Sequence, residues 1–92
     1  MENIEKKAMM DKIIRELEDL TNSQTSVLKK IGQLEAENIN LSNSVLAEGL
    51  PEIYEHADQA LTEITTLQTE FSEARDKFVA DNKLEEVGIN AE

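Results

Sequence analysis

Apolar residues recur along the chain in steps of three and four, from Met10, Ile13, Leu17 and Leu20 through Val27, Ile31 and Leu34 to Leu41 and Val45. The phase holds for five heptads, with Gln24 and Asn38 as its two polar members. That is the spacing of a helix offering one stripe to another helix. A second series runs Leu50, Ile53, Ala57, Ala60, Ile64, Leu67, Phe71, Ala74 and Phe78. Between the two lies Ala47-Glu48-Gly49-Leu50-Pro51, which joins a Gly able to take the left-handed position after a helix to a Pro with a preset φ and no N–H.

The pattern predicts a single all-α domain over residues 1–92, an antiparallel two-helix hairpin of coiled-coil type expected to assemble into a larger helical bundle. Helix 1 spans about 4–47, the turn 48–51, helix 2 about 51–81, and the tail 82–92 is partly disordered. Folding at Gly49 sets Val45 opposite Ile53, Leu34 opposite Ile64, Ile31 opposite Leu67 and Val27 opposite Phe71. The polar seam residues then meet small partners, Asn38 with Ala60 and Gln24 with Ala74. Gln24, Asn38, Gly49 and Pro51 are therefore the candidate register-setting residues, because a buried amide is costly unless matched. A second reading leaves the two amides at partly wet edges of a narrow seam. The run Thr21-Asn22-Ser23-Gln24-Thr25-Ser26 prefers caps and turns, and a break there, near residues 21–25, would give a three-helix bundle instead.

On these bounds helix 1 outruns helix 2 at its N-terminus, where an apolar stripe lacks an intramolecular mate. Either Leu84, Val87 and Ile89 of the tail turn back to cover it, or another chain does. Ile14, Leu28, Tyr54 and Leu61 widen the stripe beyond a two-stranded seam. The candidate partner interface is thus Met9, Met10, Ile13, Ile14, Leu28, Tyr54 and Leu61, and the expected partner is a second copy or another helical subunit.

Charge narrows the choice of partner. Twenty acids against nine bases give a net charge of −11. Residues 1–34 balance six acids with six bases, whereas residues 35–92 carry fourteen acids and three bases. That distribution disfavours direct binding of nucleic acid or anionic membrane, both of which need a concentrated cationic face. The acidic face comprises Glu52, Glu55, Asp58, Glu63, Glu70, Glu73 and Asp76. It would suit a partner with a basic surface, or it serves solubility alone. No apolar run approaches the roughly 18 residues of a membrane span, and no secretory signal opens the chain. The reading is a cytoplasmic protein, with secretion lacking a cleaved signal left open.

Catalytic chemistry finds little support. There is no Cys, and the single His56 lacks companions at metal-ligand spacing, position 53 being Ile. Gly32, Gly49 and Gly88 are isolated, which argues against a phosphate-cradling loop. No carboxylate falls on the expected seam, so no catalytic metal, cofactor or acid pair is expected.

In length, two-helix outline and mid-chain turn the chain resembles the small helical-hairpin partners of type VII secretion, the WXG100-like proteins. Glu48-Gly49-Leu50 stands where they carry Trp-x-Gly, and Tyr54 to Asp58 reproduces their Tyr-x-x-x-Asp spacing at the start of helix 2. The outline also resembles small coiled-coil subunits of kinetochore-like and vesicle-tethering complexes. Three functions follow as expectations: an interaction subunit of a homo- or hetero-oligomeric assembly, an acidic inhibitor or nucleic-acid mimic of viral or mobile-element type, and a secretion partner or chaperone.

Overall fold

A computed structural model describes residues 1–84. It is an all-α hairpin of two helices, α1 (Asn3–Leu41) and α2 (Ser44–Asp81), packed antiparallel. The rod measures 62 × 21 × 19 Å. Helix α1 is continuous through residues 21–26, so the three-helix alternative is not realised. Two hydroxyls of that run bond back along their own helix: Thr25 Oγ1 donates to the Thr21 carbonyl and Ser26 Oγ to that of Asn22.

The chain reverses at Ser42-Asn43, and the expected turn at 48–51 is corrected to that position. Ser42 takes the left-handed conformation, φ 57°, and its N–H donates to the Asn38 carbonyl at 2.7 Å. Asn38, buried in the last turn of α1, holds the backbone of Asn43 at both its N–H and its carbonyl. Its Oδ1 accepts from the Asn43 N–H at 2.9 Å, and its Nδ2 donates to the Asn43 carbonyl at 3.0 Å. Asn43 in turn caps α2, its Oδ1 accepting from the N–H groups of Val45 and Leu46.

Gly49 and Pro51 lie inside α2, and Gly49 does not have a positive φ. The physical reason is capping. A helix starting at Pro51 would have Leu50 as its cap, a side chain with no acceptor for the free N–H groups, whereas Asn43 supplies a strong one. Only the Ala47 carbonyl loses its i+4 donor to Pro51, a tolerable defect at an exposed residue.

Moving the turn moves the register. Cross-helix hydrogen bonds join Asn3 to Asn82, Thr21 to Gln68, and Gln24 to the backbone carbonyl of Ala57, while Asp11 meets Arg75. Gln24 therefore does not face Ala74, and Asn38 does not face Ala60. The helices have 39 and 38 residues, so helix 1 has no N-terminal surplus. The proposed cover by Val87 and Ile89 lies outside the described residues.

The helices are also rotated from expectation. Half-buried Ile14 and Thr21, buried Leu28 and half-buried Glu35 form one row of the α1 seam. The second row is Met10, Leu17, Gln24, Ile31 and Asn38, as expected. Ile13, Leu20, Val27 and Leu34, assigned to the seam by the apolar count, are exposed instead. The resulting core is thin: Leu28, Ile31, Leu50 and Val79 are the buried hydrophobic residues among those described.

Candidate interaction surface

The rotation produces a second stripe. On α1, Ile13, Leu20, Val27 and Leu34 recur every seven residues, each one position before a seam residue, with exposures from 36% at Ile13 to 47% at Leu20. On α2, Ile53, Ala60, Leu67 and Ala74 stand in the same relation to the seam, with Ile53 and Leu67 54% and 53% exposed. Because the helices are antiparallel, equivalent flank positions fall on one side of the hairpin. The register sets Leu20 level with Leu67, Leu34 with Ile53, Ile13 with Ala74 and Val27 with Ala60. One broad face of the rod is consequently apolar over about 32 Å of its 62 Å length. The opposite flank is largely polar, with Asp11, Glu18 and Thr25 on α1 and Asp58, Thr65 and Ser72 on α2.

The residues expected to form a partner interface divide between inside and outside. Leu28 is buried within the hairpin, and Met10, Ile14 and Leu61 are half-buried on its seam, which corrects their assignment to an outer surface. Met9, Ile13 and Tyr54 are exposed at 43%, 36% and 40%. The seven acids of α2, from Glu52 to Asp76, are all exposed. They are distributed around the outer circumference of the helix and do not converge on one patch. His56 is likewise exposed.

A charge cluster that the periodicity does not reveal closes the N-terminal end. Asp11 Oδ1 accepts from Arg75 Nε at 2.7 Å and its Oδ2 from Lys7 Nζ at 2.9 Å; Arg75 also reaches Asp76 at 3.1 Å. The Arg75 hydrogen bond, reinforced by Lys7, holds the Asp11 carboxyl below its ordinary value of 3.8. The same bond to Asp11 raises Arg75. Both groups stay ionised through the physiological range, so the cluster pins the helix ends and offers no proton to exchange.

Concave chemistry is sparse. An open groove of about 540 Å³ lies beside the turn, bordered by Asn38, Ser42, Leu50 and Pro51, with Glu35 its one ionisable neighbour. Among the described residues no three His, Cys, Asp or Glu side chains group as a metal site. No helix among them is long and apolar enough to cross a membrane. Compared with protein families, curated proteins and solved structures, the chain matches none.

Proposed function

We propose that the protein is a non-enzymatic interaction subunit whose hairpin docks through its second apolar stripe into a larger helical assembly. One observation carries the reading: of two seven-residue repeats on α1, the more hydrophobic lies on the flank of the seam and stays more than a third exposed. The inner repeat is Ile14, Thr21, Leu28 and Glu35, and the outer one Ile13, Leu20, Val27 and Leu34. Covering each half-exposed aliphatic is worth about 1 kcal/mol. A contiguous apolar face of this length marks an association surface on a folded chain. Few buried hydrophobic residues hold the hairpin together, so a partner would also supply stability that the seam lacks. The acids of α2, spread around the helix, favour this reading over mimicry of nucleic acid.

Mass measurement by sedimentation or light scattering tests the proposal, since a rod misleads gel filtration. The protein should run above its 10.4 kDa monomer mass, either purified or in extract of its native host. Leu20→Gln with Leu67→Gln should return it to a helical monomer. A wild-type chain that is a folded monomer in both settings, unaffected by those substitutions, would overturn the reading.

A further inference from the structure

Size and charge along the stripe indicate what covers it. We infer that the occupant is a second copy of this chain, docked stripe to stripe about a twofold axis perpendicular to the rod, so that α1 packs antiparallel on α1 of the other copy and α2 on α2. The inference rests on the docking role proposed above and names its partner.

The axis crosses α1 midway between Leu20 and Val27, and crosses α2 at the same level, midway between Ala60 and Leu67. Around it Ile53 meets Ala74 of the second copy and Ala60 meets Leu67, large against small throughout α2. On α1 Leu20 meets Val27 and Ile13 meets Leu34, aliphatic against aliphatic. An interface between identical copies requires such reciprocal matching of one surface to itself.

Charge on the rim selects this arrangement over its rival. The exposed residues outside the α1 stripe include Glu16 and Lys30, seven residues to either side of Ser23, which lies within one residue of the axis, so each comes near its opposite in the other copy. On α2 the ring of His56 meets Glu70 of the second copy, its N–H a donor to the carboxylate. An axis along the rod would instead bring Glu16 against Glu70. The perpendicular axis leaves one like-charge meeting, Glu63 with its own copy, at an exposed rim where repulsion is weak. The chain's net charge of −11 does not oppose docking strongly, because Glu52, Glu55, Asp58, Glu73 and Asp76 lie away from this face.

Sedimentation equilibrium of the purified full chain should give twice the 10.4 kDa monomer mass. The chain has no cysteine, so Ser23→Cys, beside the axis, should yield a disulfide-linked dimer on mild oxidation. Glu16→Lys and Lys30→Glu should each weaken the dimer about tenfold, and the two together should restore it to within about twofold. A helical monomer up to about 100 µM, with a larger complex still present in host extract, would overturn self-docking while leaving the docking role standing. A dimer in which Ser23→Cys fails to cross-link, but Ser23→Cys with Glu63→Cys succeeds, would overturn the perpendicular axis.

Discussion

Ile13 and Ile14 are sequence neighbours with identical side chains, yet they belong to different surfaces. Ile14 is half-buried in the seam, and Ile13 opens the exposed stripe. Their two repeats, of four residues each, run along the helix about 100° apart with the row from Met10 to Asn38 between them. The less apolar repeat joins that middle row in closing the hairpin, and the more apolar one is left for something else. Hydrophobicity alone therefore ranks the two faces in the wrong order for the intramolecular seam. The intramolecular face does not need to be the more apolar one, because the turn supplies the proximity and an intermolecular face has no such help.

The sharpest way to separate the faces is to cut one side chain on each. Leu28→Ala should cost about 2–5 kcal/mol in urea unfolding regardless of protein concentration, because it empties a buried site. Leu20→Ala should leave the dilute hairpin within about 0.5 kcal/mol of wild type and lower the melting temperature only at concentrations where chains associate. Equal effects from both substitutions would erase the distinction.

Asn38→Ala attacks the device that chooses between the faces. It leaves the Asn43 N–H without its partner and the Asn43 carbonyl with only the Ala47 N–H, and a loss of about 1–3 kcal/mol is expected, with register heterogeneity visible as broadened amide signals in NMR. If stability and spectra are unchanged, the turn is held some other way.

Asp11→Asn probes the far end. The folded-state pKa of Asp11 is depressed, so its contribution is full above the unfolded value near 3.8 and is lost as pH falls through the lower folded value. Wild type should thus lose about 1 kcal/mol relative to the variant on acidification below about pH 4, after allowance for partial exposure. Parallel pH curves would remove the pair from the stability account.

The smallest expected effect has the opposite sign. Gly49→Ala and Gly32→Ala should each stabilise by about 0.5–1 kcal/mol, because both positions are helical without positive φ and a Cβ at either meets nothing within 4 Å. Destabilisation by Gly49→Ala would point to a turn at 48–51 after all.

The same particulars show what was readable beforehand. The repeat Met10, Leu17, Gln24, Ile31, Asn38 was legible because it belongs to the seam under either rotation. The choice between rows beginning at Ile13 and Ile14 was not, since both satisfy a step of three or four. Gly49 and Pro51 drew the turn too far along the chain, although Asn40, Ser42, Asn43 and Ser44 offered cap and turn chemistry a few residues earlier. The Asp11–Arg75 pair is invisible to a register folded at Gly49, which sets Ala74 opposite Gln24 and so keeps Arg75 far from Asp11.

By itself the sequence determined that this chain forms two long amphipathic helices folded back on one another, because heptad spacing depends on the helical period alone. Only the tertiary structure decided where the chain reverses and which stripe closes the hairpin. Those choices depend on whether Asn38 can reach the Asn43 peptide and Asn43 can cap α2, three-dimensional facts that no count of apolar positions contains.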